Sequence, residues 1–139
     1  MMTRMMTVMA TALTLAPAAF AQEASEAAMI DRAGWFEDPA RLTQTGGQQV
    51  YEAICAACHM PEGEGASGAG DYPALAGNDN LLMPDYAIYV ILNGQKAMPP
   101  LGGVLDDTQI ADVVNYIRTS FGNDFSEDPA TPEHVADAR

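Results

Sequence analysis

The chain has 139 residues, which is enough for one compact domain and a short tail but not for two domains. Its 19 acidic and 6 basic residues give a formal net charge of −13. Such a chain repels phosphate backbones and anionic membrane surfaces. The charge therefore excludes nucleic acid as a ligand and favours a partner with a basic surface, although acidity can also serve solubility alone.

The first 21 residues predict a secretory signal peptide. Arg4 supplies the positive charge, Met5–Leu15 the apolar stretch, and Ala19-Phe20-Ala21 a cleavage site of small residues. The apolar stretch is shorter than the roughly 20 residues that a membrane-spanning helix needs, and no later stretch is long enough. We therefore expect cleavage after Ala21, export to the periplasm and a soluble mature chain with no stable membrane insertion.

Residues 22–42 have little hydrophobic periodicity and predict a mostly irregular N-terminal extension, with one aromatic pair at Trp35-Phe36. Ordered structure is expected from Thr43. The predicted domain covers residues 43–123, and an acidic tail covers residues 124–139 with only a short turn around Val135.

The first predicted helix runs from Gly46 to Ala57. Residues recur there at helical spacings of three and four, namely Val50, Tyr51, Ile54 and the two cysteines. The following stretch, Pro61–Gly70, predicts a loop because half of its residues are Gly or Pro. The helix therefore carries the cysteines at its C-terminal end.

A second helix is predicted to begin at Pro84, with Asp85 beside the positive end of the helix dipole. It ends at Asn93-Gly94, where glycine can adopt the left-handed conformation. Residues 95–103 predict another loop, because Pro99 and Pro100 cannot continue a helix.

The clearest predicted helix begins after Asp106, which forms a variant of the capping box with Gln109. Apolar residues follow on one face of this helix: Ile110, Val113, Val114, Ile117 and Phe121. Gly122 is expected to end it. The fold class is therefore all-α, with three main helices, long loops and no strand of useful length.

The pentapeptide Cys55-Ala56-Ala57-Cys58-His59 contains the only two cysteines of the chain and one of its two histidines. Two thiols at this spacing can add to the two vinyl groups of a haem, and the adjacent histidine can ligate the iron. This motif is the attachment signal for one covalently bound haem c. A haem would also fill the thin core that three helices with long loops otherwise leave.

Three other interpretations of the two cysteines are weaker. Export alone would favour a disulfide between them, which is the main alternative. A thioredoxin-like dithiol would follow a strand, and none precedes Cys55. A zinc site would need two more ligands, and only His134 remains.

A haem that transfers electrons needs a second axial ligand. The candidates are Met60, Met83, Met98 and His134. Met60 directly follows His59 and cannot reach round the ring, Met83 is expected to pack in the core, and His134 is expected to be solvated. Met98 lies 39 positions after His59 in a loop stiffened by two prolines, so we predict Met98 as the sixth ligand. A soft thioether stabilises reduced iron and closes it to substrates, which favours electron transfer over catalysis.

The stretch from Gly46 to Gly122 resembles the class I c-type cytochromes. The residues that carry the resemblance are Cys55, Cys58 and His59, the run Gln95–Pro99 in place of a Gly-x-x-Met-Pro pattern, and Val113–Arg118. The resemblance implies the cytochrome c fold, wrapped around one haem. It also implies that the first and last helices cross at a contact between a glycine and an aromatic residue. Gly47 and Tyr51 in the first helix and Tyr116 in the last are similar to those positions.

The same resemblance implies roles for two loop residues. The carbonyl of Pro73 would accept the proton on the far nitrogen of His59 and orient its ring. Leu75 would pack on the porphyrin. Tyr72, Tyr86 and Tyr89 are expected to pack in the core rather than to line the pocket.

The chain is more similar still to cytochrome domains that accompany periplasmic dehydrogenases. The shared runs are Tyr72–Asn78, Leu92–Gly94, Met98–Pro100, Tyr116–Arg118, Gly122-Asn123 and the end from Thr131 to Arg139. Those subunits often carry several haem motifs, and this chain has one. The resemblance implies a dehydrogenase as electron donor and an oxidase or cytochrome complex as acceptor. Lys96 is the only lysine, so a lysine-ringed docking face is absent.

The leading hypothesis is therefore a soluble electron carrier that makes and breaks no substrate bond and has no catalytic residue. A first alternative is a haem subunit held permanently in a dehydrogenase complex, bound through Trp35-Phe36 and the tail. A second is a haem enzyme or gas sensor with an open iron. A third is a small exported disulfide or metal protein.

Overall fold

The computed structural model describes residues 41–68 and 70–139. The signal peptide and Trp35-Phe36 lie outside the described residues. The helices are α1 (Gly47–Val50), a π-helix (Tyr51–Cys55), α2 (Ala56–His59), a 3₁₀-helix (Asp79–Leu81), α3 (Pro84–Asn93), α4 (Asp107–Thr119) and α5 (Pro132–Asp137). Two short strands, β1 (Ala66–Ser67) and β2 (Asp71–Tyr72), pair antiparallel. The predicted all-α class is confirmed.

The first predicted helix is present as one run of helical turns from Gly47 to His59, two residues longer than expected at its C-terminal end. The amide of Met60 donates to the carbonyl of Ala56 at 3.0 Å, which closes the last turn around the cysteine motif. Met60 then leaves the helix with φ of 65°. The π-helix ends at Cys55, the first residue of the motif, and π-helical turns often occur at functional sites.

The second predicted helix, α3, begins at Pro84 and ends before Gly94, where φ is 73°. Its buried residues follow helical spacing: Pro84, Ala87, Ile88 and Ile91. Both predicted ends are confirmed because a proline and a left-handed glycine define them locally.

The third predicted helix, α4, begins with the expected capping box. The amide of Gln109 donates to the Asp106 carboxylate at 2.8 Å, and the amide of Asp106 donates to the Gln109 side chain at 2.9 Å. The helix ends at Thr119, so the prediction that Phe121 continues its apolar face is wrong. The Asn123 amide group donates to the carbonyl of Ile117 at 2.7 Å and satisfies a carbonyl that further helix would have used.

The first and last main helices cross at Gly47, as the resemblance implies. A Cβ atom at this position would lie 2.6 Å from Cβ of Tyr116, so only glycine allows the approach. Tyr51 is fully buried beside the crossing, and its ring lies 5.6 Å from that of Tyr116 and 4.9 Å from that of Phe121. Phe121 therefore joins the core as part of an aromatic cluster rather than as a helical residue.

The segment predicted as an acidic tail packs on the domain. It contains α5, and Val135 of this helix is fully buried. The Asn115 side chain holds Ala130 by two hydrogen bonds, donating to its carbonyl at 2.9 Å and accepting from its amide at 2.8 Å. The prediction of only a short turn around Val135 is wrong, because two buried apolar residues are too few to make a helical pattern in the sequence.

Arg118 is buried near the end of α4, with 1% of its surface exposed. Its guanidinium donates to four backbone carbonyls, those of Leu81, Leu82, Glu127 and Asp128, at 2.7–3.1 Å. One side chain thus joins α4 to the segment before α3 and to the segment before α5. Among the described residues, no helix is long and apolar enough to cross a membrane.

Candidate functional site

The two cysteines lie on consecutive helical turns at the end of the first helical run. Cys55 is half-buried and Cys58 is exposed, and both are free thiols rather than a disulfide. Burial, followed by the nearby Cys58, raises the pKa of the Cys55 thiol to about 12. A thiol with a raised pKa carries little of the thiolate form on which the reactivity of a redox-active dithiol depends. The described residues also contain no group of three His, Cys, Asp or Glu that could hold a metal ion.

The histidine of the motif is oriented by a loop carbonyl. Nδ1 of His59 lies 2.9 Å from the carbonyl oxygen of Pro73. A carbonyl oxygen can only accept, so Nδ1 carries the proton and donates it. In the neutral imidazole, Nε2 is then the nitrogen without a proton, and it is the one available to an iron ion.

Two glycines, Gly63 and Gly65, bring Pro73 to this position. A Cβ atom on Gly65 would lie 2.8 Å from the carbonyl carbon of Pro73 and 2.7 Å from the amide nitrogen of Ala74, and Gly65 has φ of 67°. The amide of Gly65 also donates to the carbonyl of His59 at 3.1 Å. The carbonyl of Gly63 accepts from the amide of Leu75 at 2.7 Å. The sequence predicted only a loop here, since these contacts join residues that are distant along the chain.

Leu75 is half-buried and packs against the core. Its carbonyl accepts from the side chain of Asn123 at 2.9 Å, and the oxygen of the same side chain accepts from the amide of Asn78 at 3.1 Å. Asn123 is itself 7% exposed. This buried amide therefore holds the loop after Pro73 against the end of α4, a role that the sequence analysis missed.

Met98 lies in a tight turn directly after α3. Gln95 and Met98 exchange two backbone hydrogen bonds, of 3.0 and 2.9 Å, and Met98 is half-buried against the core. Gly94 lies under the turn, since a Cβ atom there would be 2.6 Å from the Met98 carbonyl and 2.8 Å from the nitrogen of Pro100. The sulfur-bearing residue is therefore held by a backbone with little freedom.

The other candidate ligands are placed differently. Met83 is 53% exposed at the N-terminus of α3, so the prediction that it packs in the core is wrong. Nε2 of His134 lies 3.0 Å from the carboxylate of Asp85, so His134 is paired rather than simply solvated. The carbonyl of Met60 accepts from the Tyr51 hydroxyl at 2.6 Å.

Three tyrosines predicted to pack in the core are exposed instead. Tyr72, Tyr86 and Tyr89 have 37, 43 and 59% of their surface exposed. Tyr86 and Tyr89 belong to α3, whose apolar residues lie on all sides of the helix. The hydrophobic periodicity of the sequence therefore did not show which side is buried.

The donor types present fit haem c. Two thiols on neighbouring turns are followed by an imidazole with one nitrogen engaged and the other available, and a thioether is held in a separate rigid turn. These are the groups that covalent haem attachment and axial ligation require.

Comparison with known proteins agrees with this chemistry. A family model described as cytochrome C oxidase, cbb3-type, subunit III, matches residues 43–117, more than half of the chain. The fructose dehydrogenase cytochrome subunit of Gluconobacter japonicus is 37% identical over an alignment of 94 residues, and the match covers 57% of this chain and 19% of that protein. The gluconate 2-dehydrogenase cytochrome c subunit of Pantoea cypripedii is 38% identical over an alignment of 96 residues, and the match covers 58% of this chain and 21% of that protein. The chain thus spans about a fifth of the length of these dehydrogenase subunits.

Smaller proteins match over most of their own length. Cytochrome c6 of Diacronema lutheri is 33% identical over an alignment of 82 residues, and the match covers 55% of this chain and 94% of that protein. The match to the family model and to a nearly complete cytochrome c6 confirms the resemblance stated from the cysteine motif, the cytochrome c fold, the covalently bound haem c and the electron-transfer role. The chain belongs to the cytochrome c family represented by the cbb3-type subunit III model, and its described domain is that of a class I c-type cytochrome.

Proposed function

We propose that the chain is an exported, soluble monohaem cytochrome that carries single electrons from a periplasmic dehydrogenase to a respiratory acceptor. The observation that carries the proposal is the rigid turn of Met98, which offers a thioether from a loop separate from that of His59. A domain that supplies both axial ligands leaves no position at the iron for a substrate.

The residues have distinct roles in this proposal. Cys55 and Cys58 would anchor the haem through thioether bonds, and His59 and Met98 would be its axial ligands. When bound, the haem supplies reversible one-electron chemistry. The Pro73 carbonyl accepts a hydrogen bond from Nδ1 of His59 and would leave Nε2 available to ligate the iron. Leu75 would pack on the porphyrin from the segment that Asn123 holds in place.

The presence of Met98 favours an electron carrier over an enzyme or gas sensor with an open iron. A thioether is a soft ligand that favours ferrous over ferric iron, and its presence closes the sixth position. An enzyme or gas sensor would need that position free. The turn of Met98 is held by two cross-turn hydrogen bonds and lies close against Gly94.

The choice between a free carrier and a dedicated subunit rests on two sets of relatives. The chain covers 94% of one cytochrome c6, which supports a carrier consisting of one haem domain. Its identity of 37–38% to cytochrome subunits of two dehydrogenases supports a place beside a dehydrogenase. We therefore retain a dedicated haem subunit as the second candidate.

Visible spectra of wild type and Met98→Ala, recorded in both oxidation states, test the axial pair. The wild-type ferric protein should show the sulfur-to-iron band near the red end of the spectrum and should bind carbon monoxide poorly when reduced. Met98→Ala should lose the band, gain carbon monoxide binding and keep covalent haem. A wild-type protein that lacks the band would contradict the ligand assignment, and a colourless product from a host competent in haem c maturation would contradict haem binding.

Purification from the native membrane and periplasmic fractions tests the partner. A free carrier should separate from every dehydrogenase at high ionic strength. Retention of a dehydrogenase through a high-salt column would favour the dedicated subunit.

A further inference from the structure

Two tyrosines on α3 face away from the core. Tyr86 and Tyr89 are 43 and 59% exposed, whereas the buried face of the helix is formed by other residues: Pro84, Ala87, Ile88 and Ile91. The two tyrosines lie three positions apart and are neighbours on the helix surface. Because the helix already buries a complete apolar face, packing against the other described residues does not account for these aromatic rings.

This surface is continuous with the turn that carries Met98. The hydroxyl of Tyr86 donates to the side-chain oxygen of Gln95 at 3.1 Å. Gln95 in turn exchanges two backbone hydrogen bonds with Met98. We call Tyr86, Tyr89 and the exposed residues Gln95 and Lys96 the tyrosine face.

The tyrosine face differs in charge from the rest of the protein. The stretch 86–105 contains no Asp or Glu and includes the only lysine, Lys96, although the chain has 19 acidic residues. Acidic side chains border the stretch at its start, where Asp79 and Asp85 are exposed. The face is thus an aromatic, nearly uncharged surface on a strongly acidic protein.

We propose that the tyrosine face is the contact surface for a redox protein whose own contact surface is apolar at the centre and bordered by Lys and Arg. This inference rests on the proposed electron-carrier function. Tyrosine rings provide a large contact area with few rotatable bonds and dominate many interfaces. The net charge of −13 attracts the basic border over longer distances and raises the rate of encounter.

The central contact is tested with the complete holoprotein and two redox reagents in stopped-flow experiments. The protein probe is a lysine-rich mitochondrial-type cytochrome c, and the small probe is hexaammineruthenium, each used in the direction that the potentials allow. Tyr89→Ser should lower the second-order rate constant with the protein probe by about tenfold, the effect typical of a central interface tyrosine. Tyr89→Phe, the matched control, should stay within about twofold of wild type because it keeps the ring.

Asp79→Asn tests the border separately. It should lower the rate with the protein probe at low ionic strength and match wild type at high ionic strength, because exposed charges are screened by salt. The loss in Tyr89→Ser should persist at high ionic strength. This difference would separate a contact from long-range attraction.

The outcomes distinguish the two proposals. Equal rates for wild type and Tyr89→Ser with the protein probe would overturn the tyrosine face, as would an equal loss with both probes, which would indicate an altered haem. A wild-type protein that exchanges no electrons with hexaammineruthenium would instead contradict the electron-carrier function.

Discussion

The carbonyl oxygen of Pro73 accepts a hydrogen bond from Nδ1 of His59 at 2.9 Å, across fourteen positions of sequence. The bond settles which nitrogen of the ring is protonated, and it does so through a backbone atom that no side-chain substitution removes directly. The geometry of the loop is therefore the feature to perturb.

Gly65→Ala should disturb this bond. The new methyl group would lie 2.7–2.8 Å from the backbone of Pro73 and Ala74, at a residue with φ of 67°. We expect a loss of about 2–4 kcal/mol in the free energy of unfolding, measured with denaturant on the holoprotein, together with a changed reduction potential. Gly103→Ala is the control, because a methyl group there meets no atom within 4 Å, and it should change stability by less than about 0.5 kcal/mol. A Gly65→Ala protein as stable as the control would show that the loop is not tightly held.

Gly94→Ala should displace the turn of Met98. Its methyl group would approach the Met98 carbonyl to 2.6 Å, and φ at this position is 73°. We expect a weakened sulfur-to-iron band and faster carbon monoxide binding to the reduced protein, whereas covalent haem should be unaffected because the cysteines are distant in sequence. An unchanged band would mean that the turn accommodates the methyl group or that Met98 is not the ligand; the spectrum of Met98→Ala separates these two cases.

Val135→Ala should destabilise the whole domain. The side chain is fully buried against α4, so removing two methyl groups leaves a cavity. We expect a loss of about 1–3 kcal/mol in the free energy of unfolding with one cooperative transition. Glu133→Gln lies on the exposed side of the same helix and serves as control. A loss for Val135→Ala no larger than that of the control would indicate that α5 contributes nothing to the stability of the domain.

The pair of Asp85 and His134 predicts a small dependence of stability on pH. The hydrogen bond from His134 lowers the pKa of the Asp85 carboxyl below its ordinary value of 3.8. A carboxyl group whose pKa is lower in the folded than in the unfolded protein stabilises the fold at pH values above the unfolded pKa. This stabilisation is lost as the pH falls through the pKa of the folded protein. Wild type should therefore exceed Asp85→Asn in stability at pH 6 by less than about 1 kcal/mol, since both groups are partly exposed. Thermal unfolding of both proteins from pH 6 to pH 2 should show this gap closing below pH 4, and a gap that widens in acid would contradict the role of the pair.

N-terminal sequencing of the protein recovered from the periplasm tests the predicted signal peptide. We expect the mature chain to begin at Gln22, because small residues at positions 19 and 21 favour cleavage after Ala21. Recovery of the intact N-terminus in the cytoplasm would contradict export.

Local signals predicted the fold where they determine backbone geometry directly. Pro84 and Gly94 bound α3, and the capping box of Asp106 starts α4, because each acts within one turn of helix. The end of α4 was missed because the residue that satisfies its last carbonyls, Asn123, acts from outside the helix. The helix α5 was missed because the burial of Val135 exists only after the chain has docked.

The candidate site was likewise predicted in part, where single residue types indicate the chemistry, and missed where contacts form only on folding. The cysteine motif and Met98 could be predicted because covalent haem attachment and axial ligation of the iron require those residue types. Gly65 was not identified as a positioning residue, since its contact with Pro73 arises only when the loop folds back. The exposed positions of Tyr86 and Tyr89 were also missed, because tyrosine has an apolar ring that suits either side of a helix.

The buried guanidinium of Arg118 couples three segments that are separate in sequence. Its guanidinium donates to the carbonyls of the segments ending at Leu82 and at Asp128, so detaching either segment would leave a buried cation short of acceptors. Detachment of the segment before α5 therefore carries an electrostatic cost beyond the loss of its own contacts. In native-state hydrogen exchange, we expect amides of the 3₁₀-helix and of α5 to open in one cooperative step rather than independently.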